Sequence, residues 1–177
     1  MKVIRIVLII FVISTIFKGA FADAGPAKKN FLPLYDQFAR AMKTKDMNAA
    51  TTRFLPSFSI KTDTGMDMKL PTWKYYMKND LVRMERITSV EYPIESIVQK
   101  GADVVVTGIL RTVGTTTPDD AGKAHVLSLT RQMRIVWTKT KTGWMAAKGE
   151  QLRASLLQDG KPYKFIPGAV STQKPIR

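Results

Sequence analysis

The sequence predicts an α+β fold, with three N-terminal helices packed on an antiparallel sheet. Three observations carry that expectation. Apart from a short alternating hairpin at Phe58–Met68, apolar residues recur at helical spacing up to Met84, and from Ile87 onward they alternate at strand spacing. No repeat and no Gly/Pro-rich linker divides the 177 residues, which are enough for one core. Helices gathered ahead of an antiparallel sheet must cover one of its faces and leave the other to solvent.

Each element has its own signal. Phe31, Leu34, Tyr35, Phe38 and Met42 form one helical face, after a short polar leader and with Pro33 in the first turn. Asp46 is an N-cap for a second helix running through Met47, Ala50 and Phe54, which Pro56 should stop. Phe58 and Ile60 alternate with polar neighbours, Asp63-Thr64-Gly65 turns the chain, and Met66 and Met68 suggest a short return strand. A third helix should begin near Pro71, with Trp73, Tyr76, Met77, Leu81 and Met84 on its apolar face. Ile87–Val98 and Asp103–Val113 then read as strands joined at Lys100-Gly101. After a loop over Gly114–Gly122, two long strands are expected at His125–Thr140 and Trp144–Leu156, joined by Thr142-Gly143. Residues 158–177 read as an extended tail, packed in part through Tyr163, Phe165 and Ile166.

Composition narrows the chemistry. At 45% hydrophobic and 24% charged residues, the chain is neither a disordered nor a polytopic membrane type. The absence of cysteine excludes disulfides, zinc–thiolate sites and cysteine nucleophiles. His125 is the sole histidine, which removes most metal and triad chemistry. Its candidate roles are a dyad with Asp119 or Asp120, or a soft copper site with Met66 and Met68, set against a plain surface histidine and core methionines. Neither a metal nor a cofactor is expected.

Residues 1–22 read as a cleavable signal peptide. Lys2 and Arg5 precede an apolar run from Ile6 to Phe17, and Ala20-Phe21-Ala22 offers small residues before a cut. The run falls short of the ~20 residues of a membrane span. The domain is then expected over residues 23–157, in a periplasmic or secreted protein. The formal charge of +14 is uneven: residues 121–177 hold eleven basic but only two acidic side chains, Glu150 and Asp159. Such a field suits an anionic envelope surface. Nucleic acid is not the expected partner, because lysines outnumber arginines 18 to 10 and no arginine–aromatic motif is present.

Tyr35-Asp36-Gln37-Phe38, Lys45-Asp46, Phe54-Leu55-Pro56, Gly101-Ala102-Asp103-Val104-Val105-Val106, Arg131 to Trp137 and Thr142-Gly143-Trp144 together form a pattern over about residues 30–154. It resembles the nuclear transport factor 2-like superfamily, in particular its SnoaL-like and ketosteroid isomerase-like bacterial members. The resemblance implies a cone-shaped α+β roll, its bent sheet wrapped round a pocket, often dimeric through the outer face of the sheet. Steroid-isomerising relatives use a carboxylate just after the first strand and a tyrosine on the first helix. Matching Lys45-Asp46 to their Gly-Asp puts Phe38 and Thr62 at those positions. Tyr35 lies one helical turn earlier and Asp63 one residue later, on the opposite strand face.

The pocket is expected to gather Tyr35, Phe38, Trp73 and Tyr76 from the helices with Arg131, Met133, Lys148 and Glu150 from the sheet. Alternation places Arg131 with Leu129 and Met133, and Lys148 and Glu150 with Trp144 and Ala146. A buried Arg131 needs either Glu150 or an anionic ligand, and a carboxylate suits its fork. Three functions follow: a non-catalytic domain that binds a small apolar or carboxylate ligand or supports an assembly, a cofactor-independent lyase or isomerase, or an envelope subunit that meets anionic surfaces.

Overall fold

The computed structural model describes residues 25–163, with side chains from Lys28 onward. The expected signal segment, and Phe165 and Ile166 of the expected tail, lie outside the described residues. Among the described residues, no helix is long and apolar enough to cross a membrane.

The first helix, α1 (Gly25–Lys43), starts earlier than its apolar face suggests, so Pro33 lies inside it rather than in its first turn. Pro33 is exposed, and water can reach the backbone carbonyl that its missing N–H leaves free. Phe31, Tyr35, Phe38, Ala41 and Met42 are buried along one face. Lys45, at φ 60°, reverses the chain, and its ammonium donates to the carbonyls of Met84 and Glu85.

Asp46 caps α2 (Met47–Ala50) as expected, accepting from the amides of Asn48 at 3.0 Å and Ala49 at 2.9 Å. This helix does not reach Phe54. The hydroxyls of Thr51 and Thr52 bond back to the carbonyls of Met47 and Ala49, and the chain leaves the helical path there. Phe54 instead opens β1 (Phe54–Lys61), and Pro56 occupies the irregular stretch where β1 has no regular ladder.

A short strand, β2 (Asp67–Lys69), leads into α3 (Leu70–Val82), which buries Trp73, Met77 and Leu81 four residues apart. The next expected strand is two: β3 (Arg86–Glu91) and β4 (Ile94–Lys100), broken at Tyr92-Pro93, and both pair with β5 (Asp103–Thr115). The break is physical as well as sequential. The Tyr92 ring lies over Gly108, where any side chain would collide with it. Gly101, at φ 62°, makes the expected β4–β5 turn.

The long strands β6 (Val126–Thr140) and β7 (Gly143–Gln158) follow. The sheet order is β2-β1-β7-β6-β5-β3, antiparallel except for β1 beside β7. The chain past β7 is not a plain extended tail. Asp159 and Gly160, at φ 50° and 77°, form a tight turn into β8 (Lys161–Pro162), which pairs back on β7.

The core lies between the helices and the inner face of the sheet. Leu127, Leu129, Met133, Ile135 and Trp137 of β6 are buried there with Val104, Val106 and Leu110 of β5.

Candidate functional site: a cleft between α3 and the sheet

β7 decides which side chains face inward, and it does not alternate throughout. Its register against β6 slips between Val136 and Trp137 and again between Gln132 and Met133. Ala146 lies opposite Trp137, Gly149 opposite Ile135, Gln151 opposite Met133 and Ala154 opposite Arg131. These four share the inner face. Lys148 and Glu150, paired with Val136 and Arg134, are turned to the outer face, which corrects the expectation that they line the pocket. Each bulge adds one residue, and one residue is enough to exchange the faces of a strand.

Among the described residues, two hollows stand out on the inner face. One is an apolar void of about 20 Å³ under α1, bordered by Tyr35, Phe38, Trp73, Tyr92, Met133 and Trp137. It has room for about one water molecule. Aromatic rings fill the rest: Tyr35 stacks on Tyr92 at 4.2 Å between centroids, and Phe31 and Tyr35 pack on Trp137. The Tyr35 hydroxyl accepts a hydrogen bond from Trp137 Nε1 at 3.0 Å. Burial raises the pKa of both Tyr35 and Tyr92 well above the usual phenol value.

The second hollow is an open cleft of about 330 Å³ between α3, β1–β2 and the far ends of β6 and β7. Ile60, Met68, Trp73, Met77, Leu129 and Leu156 provide its apolar surface. Tyr76 from α3 and Tyr163 from the β8 end stand at its edges, both more than one third exposed. Its polar groups are few, as in small-molecule sites. Arg131 pairs with Asp80 of α3 through Nη2, and its Nη1 points at Met77 Sδ at 3.0 Å. The two side chains are only 11% and 22% exposed. Gln151 donates to Asp63 Oδ1 at 2.9 Å, beside the β1–β2 turn.

The sequence-predicted residues therefore separate into three groups. Trp73, Tyr76 and Arg131 line the cleft; Tyr35, Phe38 and Met133 border the void; Lys148 and Glu150 stand outside, Glu150 paired with Arg134 at 2.7 Å. The carboxylate partner of Arg131 is Asp80, not Glu150. Sequence reasoning missed that residue, although Tyr76 and Asp80 stand four apart on one helix flank. The sequence reading puts Tyr163 in a tail, although the Asp159-Gly160 turn that brings it to the cleft is a readable hairpin signal.

Tyr35 and Asp63 do not meet, since Tyr35 is buried against Trp137 and Asp63 sits on an exposed turn. His125 bonds to Asp119 and Asp159, not to Asp120. Met66 is exposed on the turn while Met68 lines the cleft. Among the described residues, no group of three His, Asp or Glu side chains is placed to hold a metal ion.

No protein-family model matches the sequence, and no curated protein matches it significantly. Solved structures do match the fold. A conserved protein from Planctomyces limnophilus is 13% identical with a TM-score of 0.59, and the match covers 75% of this chain and 98% of that one. A nuclear transport factor 2-like protein of unknown function from Prochlorococcus is 12% identical at a TM-score of 0.53, covering 71% and 91%. A similarly described protein from Silicibacter pomeroyi is 13% identical at 0.51, covering 73% and 96%. These likenesses, the cone-like wrap of one sheet about three helices and the strand order agree: the chain has the nuclear transport factor 2-like fold.

Proposed function

We propose that the protein is an exported, non-catalytic domain that binds a small, largely apolar ligand in the cleft between α3 and the sheet. The observation that carries this reading is the cleft itself. It has about 330 Å³ of space over an apolar surface, and its charged pair, Arg131 with Asp80, is satisfied within the chain. A neutral ligand can enter without disturbing that pair. A carboxylate ligand must first displace Asp80 from Arg131, which leaves a second carboxylate in need of a partner. The bound molecule is therefore expected to be apolar, with a hydrogen-bonding group near Gln151 or the free donors of Arg131.

The lyase or isomerase reading has less support. It needs a general base within reach of the substrate, and the carboxylates nearest the cleft are already engaged, Asp80 by Arg131 and Asp63 by Gln151. The experiment is a fluorescence titration with the neutral probe N-phenyl-1-naphthylamine. Saturable binding that weakens about tenfold in Tyr76→Ala, as loss of a large apolar contact predicts, supports the cleft reading. Absence of saturable binding, or binding indifferent to Tyr76→Ala and Leu156→Gln together, refutes it. Export is tested separately, by intact-mass analysis for a mature chain starting at Asp23.

A second reading rests on the outer face of the sheet. Lys61, Arg111, Lys148 and Arg153 are exposed there, with Asp67 and Glu91 opposite Lys61 and Arg111 and with Glu150 paired with Arg134. Lys148 and Arg153, with the excess of basic over acidic residues past residue 121, suit an anionic envelope surface. Salt-sensitive adsorption to vesicles containing anionic lipid supports that role, and concentration-dependent dimerisation by light scattering would favour self-association instead.

A further inference from the structure

One edge of the cleft comes from beyond the main path of the sheet. Tyr163 reaches it only because the chain reverses at Asp159-Gly160 and β8 pairs back on β7, with Leu157 opposite Pro162. Two ladder pairs make a weak hairpin, and Pro162 can donate nothing to it. What fixes the turn lies on its other side. Asp159 donates its amide to the Val126 carbonyl at 2.9 Å and accepts the Val126 amide on Oδ1 at 2.9 Å. Its second oxygen lies 2.6 Å from His125 Nδ1.

His125 is held from the opposite side as well. Its Nε2 lies 3.2 Å from Oδ2 of Asp119. Asp119 is itself fixed, accepting on Oδ1 from the amides of Ala121 and Lys123. A ring with a carboxylate at each nitrogen can satisfy both only as imidazolium, since neutral histidine carries one N–H. Deprotonation must leave one carboxylate facing a lone pair, and one arm of the clamp is lost.

We propose that Asp119, His125 and Asp159 form a proton-operated latch that holds the β7–β8 turn and, through it, the Tyr163 wall of the ligand cleft. The charged groups that act on His125 come from two segments: Asp119 and Lys123 from the β5–β6 loop, and Asp159 from the turn. Hydrogen bonds to Asp159 and Asp119 raise the histidine pKa above its usual value, opposed by desolvation and, less, by Lys123. The imidazolium in turn lowers the pKa of Asp159, while backbone amides and the ring lower that of Asp119. With the latch closed, Tyr163 completes the cleft. As pH rises through the histidine's titration the turn loosens, and the cleft loses that wall.

This inference rests on the ligand-binding reading for its consequence but not for the latch, so two measurements separate them. The first needs no ligand. Amide hydrogen exchange of Val126 and Tyr163, whose N–H groups bond Asp159 and Leu156, is compared at each pH with His125→Asn. Below the histidine's titration the native chain should be protected about fivefold more, the scale of one exposed charge-assisted contact, and above it the two should converge. Equal protection at every pH overturns the latch. The second is binding of N-phenyl-1-naphthylamine. Affinity should fall several-fold as pH rises through the same range. The dependence should vanish in His125→Asn and in Tyr163→Ala, the latter binding as weakly at low pH as the native chain does at high pH. A dependence that survives in Tyr163→Ala overturns the link to the cleft. A pH-dependent exchange difference with no probe binding at all refutes the ligand reading and leaves the latch standing.

Discussion

Trp137 of β6 gives its indole N–H to the hydroxyl of Tyr35 on α1, joining the helical layer to the inner face of the sheet across 102 positions of sequence. Both residues are almost fully buried. The hydroxyl is committed to holding two layers together. The Tyr92 hydroxyl, stacked beside Tyr35, is buried without a hydrogen-bond partner among the described residues.

Tyr35→Phe should therefore destabilise the fold by about 1–2 kcal/mol, chiefly through the indole N–H left unsatisfied. Urea unfolding followed by tryptophan fluorescence reads this directly. Probe binding in the cleft should be unchanged, because Tyr35 borders the void and not the cleft. A large loss of binding with little loss of stability would place Tyr35 in the site after all.

The His125 cluster also predicts how stability depends on pH. The histidine pKa is raised by folding, so its contribution is complete below the unfolded value of about 6.5 and is lost as pH rises through the higher folded value. The pKa values of Asp119 and Asp159 are lowered, so theirs is complete above about 3.9 and is lost as pH falls through the lower folded values. The cluster should thus support a stability plateau between about pH 4 and 6.5. Urea midpoints measured across pH should decline on the alkaline side in the native chain, and that decline should flatten in His125→Asn. An alkaline slope unchanged by the substitution would assign it to other groups.

Gly149 shows why the β7 bulges persist. A Cβ built there would stand 3.0 Å from both Ile60 Cγ1 and Phe58 Cζ, two side chains at the centre of the core. The strand can lie this close to β1 only with no side chain at that point. Gly149→Ala should cost about 1–3 kcal/mol by overpacking, read as a lowered thermal midpoint. Gly160→Ala, at a positive-φ turn with open space around it, should instead act by loosening the β8 hairpin.

How much of this was legible follows from the physics of each signal. Helical faces such as Phe31–Tyr35–Phe38–Met42 and the Asp46 cap are local, and they were read correctly. The long strands were read to within a few residues for the same reason. The inward set of β7 was not, because a bulge is fixed by long-range packing, here the approach of Gly149 to Ile60 and Phe58. Alternation carried through the bulge places Lys148 and Glu150 on the wrong face. The split at Tyr92-Pro93 could have been read, since proline cannot donate to a ladder. The pairing of Arg131 with Asp80 spans 51 positions and has no local signature.

That pairing yields the sharpest test of the cleft. Arg131 comes from the first half of β6, among Leu129 and Met133, and Asp80 from the last turns of α3; the pair ties the helix to the sheet at the rim of the open space. Removing one partner strands the other in a largely apolar setting, a loss of about 3–5 kcal/mol for a fully buried pair. Asp80 is 22% exposed and can recover some water, so about 1–3 kcal/mol is expected for Arg131→Met. Asp80→Asn should cost less, because the amide oxygen can still accept from the guanidinium. The double change Arg131→Met with Asp80→Leu should restore most of the native stability, since apolar residues fill the same volume with no charge to solvate. Urea unfolding of the four proteins closes the cycle. The same set sorts the ligand chemistry. If Asp80 fills the place of an anionic ligand, Asp80→Asn should gain affinity for short-chain aliphatic carboxylates that the native chain binds poorly, while binding of the neutral probe stays level. If Arg131 serves only to fasten α3, neither carboxylate affinity nor probe binding should change, and the whole effect should appear in the unfolding midpoints.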